Sequence, residues 1–265
     1  MARLTSDILF TGSLGNISAY KMRGVDRVIL RTKGGPSSAR IKKDPAFDVV
    51  RRNNAEFSGR AAASRWIMKM LWPQKALADY NIAGPLNALV KPIQELDTQS
   101  TFGQRNIILS KNKLLLQGFS LNRKNPFDSM VRAGVSYSLV QDTWNAQVNL
   151  PELLPGINFF PHPNMPFFSV QIVLGMVPDL FYRDGKYLPS SSSYHENNVA
   201  VVTTDWHATQ GHQKKESLQV KLPEPPADEA SSLLLSIGIR YGAMQNNGAI
   251  EQIKYAGCAK VLGVV

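Results

Sequence analysis

Four histidines and one cysteine are the residues of this chain best suited to metal or nucleophilic chemistry: His162, His195, His207, His212 and Cys258. His207 and His212 stand five apart in Trp-His-Ala-Thr-Gln-Gly-His with Asp205 close by, the outward look of a metal site. One face of a helix needs a spacing of four and one face of a strand an even spacing, so the two imidazoles converge only through a turn at Gly211. Cys258 lies in Tyr-Ala-Gly-Cys-Ala-Lys-Val-Leu beside an apolar terminal run and reads as a buried structural thiol. As the only cysteine it forms no intramolecular disulfide. The sequence has no Gly-x-Ser-x-Gly elbow, no phosphate loop ending in Gly-Lys-Ser/Thr, no His-Glu-x-x-His and no Cys-x-x-Cys. Gly12-Ser13-Leu14-Gly15 precedes no expected helix, so it lacks the context for cradling a phosphate. Asp228 and Glu229 follow a proline-rich connection and read as solvated charge. The expectation is a protein that is not an enzyme and that uses no cofactor and no metal.

The charged residues carry more information. The chain has 265 residues with 30 Lys+Arg against 20 Asp+Glu, a net charge of +10. Residues 1–66 hold 13 of the bases and 5 of the acids, residues 67–125 hold 8 and 3, and residues 126–265 hold 9 and 12. A basic front is thus joined to a mildly acidic back. Such asymmetry points to a nucleic acid, an anionic surface, or the acidic part of a second copy. Lys21, Arg23, Arg27, Arg31 and Lys33 sit at odd positions of an expected hairpin and would share one face. Arg40, Lys42, Lys43, Arg51 and Arg52 surround the start of an expected helix. These ten are the candidate assembly or anion-contact residues.

The elements that must position them follow from periodicity. Residues 7–33 read as strands, with 19–22 and 28–31 pairing across a turn to which Gly24 supplies the conformation. Gly34, Gly35 and Pro36 then form a hinge, because two glycines raise backbone freedom and proline cannot continue a ladder. Asp44-Pro45 is an N-cap with proline at the first helical position, followed by Phe47, Val50, Asn54, Phe57, Ala61, Ser64, Met68 and Leu71 at helical steps until Trp72-Pro73. Gly59 within that helix marks either close packing or a weak point. Helical stretches at 74–81 and 85–97 follow. Short strands are then expected at 105–110, 113–119, 134–140, 144–150, 168–176, 180–183, 198–204, 216–222, 233–241, 250–255 and 258–264. The proline-dense stretch 151–166 and residues 184–198 read as loops.

Strands at this spacing with turn chemistry between them predict an antiparallel sandwich. The fold class is therefore mainly β with a helical N-terminal section (α+β): a β-hairpin, two or three helices, then an Ig-like or jelly-roll-like β-sandwich. The expected organisation is a β-hairpin arm at 1–36, a basic helical section at 37–98, and a sandwich at 99–265 that could divide near 151–166. No apolar run reaches the 18 or so residues of a membrane span. The N-terminus lacks a secretory pattern, so synthesis in the cytoplasm is expected.

Gly12-Ser13-Leu14-Gly15-Asn16-Ile17-Ser18-Ala19-Tyr20-Lys21, then Arg31-Thr32-Lys33-Gly34-Gly35, Asp44-Pro45-Ala46-Phe47 and Arg51-Arg52-Asn53-Asn54-Ala55-Glu56-Phe57, resemble an uncharacterised bacterial protein family. Gly238-Ile239-Arg240-Tyr241 and the final apolar strand are similar to that family's end. The resemblance implies a shared architecture and lends no catalytic residue.

The leading functional expectation is a structural subunit that self-assembles with other copies through its N-terminal strands and basic section into a filament, particle or layer. A nucleic-acid-associated protein would use the same cations, although no helix-turn-helix spacing or zinc knuckle accompanies them. A carbohydrate-binding sandwich would need Trp144, Tyr182, Tyr187, Tyr194 and Trp206 as a stacking platform.

Overall fold

The structure is a computed structural model that describes residues 2–3, 10–22, 25–196, 198–225 and 228–265. The chain forms two compact units, Met1–Arg51 and Arg52–Val265. Ile8, Arg23 and the turn residue Gly24 lie outside the described residues.

In the first unit, β1 (Ala2–Arg3), β2 (Gly12–Leu14), β3 (Ile17–Tyr20) and β4 (Ile29–Thr32) make an antiparallel sheet in the order β1-β4-β3-β2. The expected hairpin is present, and its ladder is shifted to Ile17↔Thr32 through Tyr20↔Ile29. A second hairpin joins β2 to β3 through Gly15-Asn16, with Gly15 at φ 55 in the first central position, where a two-residue turn takes glycine. After the glycines comes α1 (Ser38–Lys43), a short helix that the periodicity did not announce; the Ser37 side chain caps it by accepting from the Arg40 N–H at 3.2 Å. Asp44 is the expected cap of the next helical start and accepts from the Ala46 N–H at 3.0 Å, with Pro45 opening a 3-10 turn that runs into α2 (Asp48–Met70).

In the second unit, α2 buries Glu56, Gly59, Ala63, Ser64, Trp66, Ile67 and Met70. This differs from the expected stripe: Val50 and Phe57 are exposed, and the buried face lies beside them. The face is chosen by small residues that allow close approach. A Cβ on Gly59 would stand 2.6 Å from the Tyr187 ring, so this glycine permits packing. A 3-10 segment at Trp72–Leu77, where a helical stretch was expected at 74–81, and α3 (Ala83–Glu95), the helix expected at 85–97 set two residues earlier, complete the helical layer.

Two expected strands, 105–110 and 113–119, are absent as strands. Residues 109–111 and 113–116 form 3-10 turns, because the buried Asp179 carboxylate takes the Ser110 N–H at 2.9 Å and the Ser110 hydroxyl, drawing the chain out of extended pairing. A short helix, α4 (Phe127–Met130), precedes β5 (Ser136–Val140), β6 (Asn145–Leu150), β7 (Phe167–Pro178), β8 (Leu180–Arg183), β9 (Lys186–Pro189), β10 (Val199–Thr203), β11 (His207–Ala208), β12 (Glu216–Lys221), β13 (Ser231–Met244) and β14 (Ile250–Val264). β9 lies in a stretch expected to be a loop; it pairs with β8 across Asp184-Gly185, both at positive φ, a tight hairpin turn. The strands expected at 250–255 and 258–264 are one strand. Arg240 faces Gly257 while Gly242 faces Gln252, so residues 253–256 bulge outward, with Gly257 at φ 135.

The large sheet runs β10-β7-β13-β14, with β11 also on β7, and the small one runs β12-β6-β5. β6 pairs with β12 across the proline-dense stretch, and the strands after residue 99 lie in one compact unit with the helices from Arg52 onward. That stretch is anchored by Phe159, fully buried with its ring 4.6 Å from that of Phe168. The helical layer covers the other face of the large sheet: a Cβ on Gly175 would meet Met70, and one on Gly238 would meet Leu77. β7 and β13 are therefore covered on both faces and read as nearly unbroken apolar runs.

Candidate interaction surface

The basic residues of the N-terminal unit divide into those that build local structure and those that face solvent. Lys33 belongs to the first set; its Nζ donates to the Gly15 carbonyl at 3.0 Å and ties β4 to the β2–β3 turn. Arg40 pairs with Asp44 at 3.0 Å and lies 5.6 Å from the Phe47 ring centroid. Arg51 Nη1 donates to the carbonyls of Ile41 and Asp44, both at 2.8 Å, and so supplies cationic donors to the end of α1. Hydrogen bonds from the Ala46 N–H and from Arg40 hold the Asp44 carboxyl below the usual carboxylate range.

Lys21, Arg27, Arg31, Lys42 and Lys43 are exposed, and none is bonded to another described residue. They do not form the expected single strand face. β3 stops at Tyr20 and β4 starts at Ile29, so Lys21 and Arg27 lie off the ladder and Arg31 is the only one of the five in a strand, opposite Ser18. The loop length between the strands, not the odd numbering, decides where these side chains go. Arg52 is exposed in the second unit, with its side-chain stem against Gly103. The hinge residues Gly34, Gly35 and Pro36 are all exposed, with Gly35 at φ 103.

Apolar residues interleave with the unpaired cations, a feature that the charge pattern alone did not reveal. Leu14 is 67% exposed, and Ile17 and Met22 are exposed beside it in sequence. Among the described residues of this unit the buried apolar side chains are Ala19, Val28 and Ile29. β2 forms an edge whose ladder bonds go to β3 alone. Among the described residues the surface therefore offers a strand edge, a few exposed apolar groups and positive charge.

The other sequence candidates have structural settings. The Cys258 thiol is buried, and desolvation pushes it up to about 12, which keeps it a thiol and poor in nucleophilicity. His207 lies with its ring 5.7 Å from that of Phe168, whereas His212 Nε2 pairs with the Glu152 carboxylate. No group of three or more potential metal ligands occurs among the described residues. Tyr187 and Tyr194 are core residues, and Tyr182 packs edge-on to Tyr187 at 5.3 Å, so these three do not present a stacking platform. Among the described residues no helix is long and apolar enough to cross a membrane.

No protein-family model, no curated protein and no solved structure matches the chain.

Proposed function

We propose that the protein is a non-enzymatic assembly subunit whose N-terminal unit associates with other copies of the chain to build a filament, particle or layer. The observation that carries this reading is made on the described residues of Met1–Arg51: strands of two to four residues, and an outer strand, β2, with Leu14, Ile17 and Met22 exposed at the surface. A unit of about 50 residues is small enough that disulfides, metal or association commonly support its fold. The unit has no disulfide to use, since the one cysteine is Cys258. An unpaired edge is also a template for a neighbour's strand, and surrounding positive charge favours an acidic surface on that neighbour.

The test is sedimentation and negative-stain microscopy of the full chain over a wide concentration range, at low and moderate salt. Concentration-dependent assemblies that weaken with salt and are lost in Leu14→Lys are expected. Monomers at every concentration would overturn the reading.

A second reading, association with nucleic acid, has a specific observation behind it in the five exposed cations that are bonded to no described residue. If all five met phosphates, log K would fall with log salt at a slope of about −0.9 per contact on duplex DNA. Failure to retain DNA or RNA on a filter at low ionic strength removes it.

A further inference from the structure

Three of the partly buried cations in residues 52–265 are held in different ways. Arg105 reaches the Glu56 carboxylate through Nε at 2.6 Å and Nη2 at 2.5 Å, and Lys260 pairs with Asp128. Arg240 has no carboxylate among the described residues. It lies on β13 directly opposite Ser169 of β7, and its Nε donates to Ser169 Oγ at 3.1 Å. Ser169 is fully buried and sends its own hydroxyl proton to the Thr204 carbonyl at 2.9 Å, so it meets Arg240 as an acceptor. Thr204 is in turn fixed by the Val170 N–H at 3.0 Å and by donating to the Val170 carbonyl at 2.9 Å. The guanidinium carbon stands 4.6 Å from the centroid of the Trp206 ring. That ring is held close to the strand, since a Cβ on Gly242 would stand 2.8 Å from it.

The side chain is thus pinned at Nε and covered on one face, while its two Nη groups meet no acceptor among the described residues and keep solvent access. A partly desolvated guanidinium normally has a counter-charge, because neither burial nor an indole face replaces the lost hydration. Here desolvation lowers its pKa, and no described acidic group offsets it.

We propose that Arg240 and Trp206 form a binding site for a carboxylate, which accepts from the two Nη groups and extends along the indole. A fork with Nε already occupied presents two parallel N–H donors that match the two oxygens of a planar carboxylate. A single negative charge neutralises the site, whereas a phosphate dianion would leave an excess charge in a half-buried position. The carboxylate comes from a small organic acid or from a second copy of this chain.

The experiment follows the Arg240 Nε–Hε nuclear magnetic resonance signal and the melting temperature of the full chain. Succinate, phosphate or chloride is titrated at fixed ionic strength, with Arg240→Met as the control. Saturable movement of the signal by succinate, stronger than by phosphate, and a rise of a few degrees in melting temperature that Arg240→Met abolishes, are expected if the source is a free acid. If the source is a second copy, Arg240→Met lowers self-association in sedimentation, and succinate competes with it in the wild type. A wild-type signal that succinate does not move, together with association that Arg240→Met leaves unchanged, overturns the proposal. So does an equal thermal shift in the variant. Should Arg240→Met not fold, the wild-type signal and succinate competition in sedimentation still decide.

Discussion

In residues 52–265 a carboxylate and a guanidinium, Glu56 and Arg105, are drawn inside together, whereas in residues 1–51 Lys21, Arg27, Arg31, Lys42 and Lys43 all remain at the surface. The larger unit has one apolar cluster spanning the helical layer and both sheets, enough to bury a charge provided that the charge is matched. Burial raises the Glu56 pKa, and the hydrogen bonds from Arg105 and the Gly103 N–H overcome this and hold the carboxyl below its ordinary range. Among the described residues of the smaller unit the buried apolar side chains are Ala19, Val28 and Ile29, and the described cations that are not used locally stay in water. Position in the fold, more than charge itself, decides whether a basic residue is structural or available to a partner.

The comparison breaks most visibly at Glu56. Glu56→Ala leaves Arg105 without its carboxylate and is expected to destabilise the chain by about 3–5 kcal/mol, as loss of one partner of a buried pair does. Urea denaturation measures it, and replacing Arg105 by Met in the same chain should return part of the loss. An effect under about 1 kcal/mol would mean that the pair is solvated as a surface pair is.

Gly59→Ala comes next. It gains about 1 kcal/mol in helix propensity, yet the new methyl group meets a Tyr187 ring whose hydroxyl accepts from Gln94 Nε2 at 3.1 Å and cannot easily move. Overpacking of this kind costs about 1–3 kcal/mol, so a net loss on the order of 1 kcal/mol is expected. A stabilised variant would show that the tyrosine gives way.

Both sites show what was legible in the sequence. The helix containing them was, because Asp44-Pro45 and the Trp72-Pro73 stop act locally. Its buried face was not: apolar spacing selected Val50 and Phe57, while the structure buries Glu56 and Gly59, a choice made by partners 49 to 128 residues away in sequence. β7 and β13 were legible as strands at 168–176 and 233–241, shorter than the 12 and 14 residues they span. The 3-10 turns at 109–116 were not, since their cause is a distant carboxylate, Asp179. The Asp184-Gly185 hairpin turn was present in the residue types and was read as a loop. In the candidate surface, the identity of the cations was plain, but their directions depended on where β3 and β4 end.

Acid sharpens the contrast further. Burial raises the Asp97 pKa, but hydrogen bonds from Ser100, Asn106 and Gln99 outweigh it and bring the carboxyl to about 2. A carboxyl depressed in the folded state contributes stability that is present above its unfolded pKa and lost as pH falls through the folded value. Between about pH 4 and pH 2, protonation of Asp97 should remove roughly 1–2 kcal/mol after allowance for solvent screening. Asp97→Asn should flatten that part of the pH–stability curve, followed by circular dichroism in urea at each pH.

The smallest effects belong to the N-terminal unit, and they separate its two kinds of cation. Arg51→Ala removes donors from the Ile41 and Asp44 carbonyls and should cost about 1 kcal/mol of local stability, seen as faster amide exchange in residues 38–47. Lys42→Ala with Lys43→Ala, on the same short helix but bonded to no described residue, should leave both exchange and global stability within about 0.5 kcal/mol of the parent chain. Under the assembly reading, this pair should still weaken association and lessen its salt dependence, because two positive charges have left a surface that contributes nothing to folding. Equal effects of Arg51 and of the lysine pair on amide exchange would erase the distinction between structural and available cations in this unit. It would also take away the reason for assigning the exposed set to a partner.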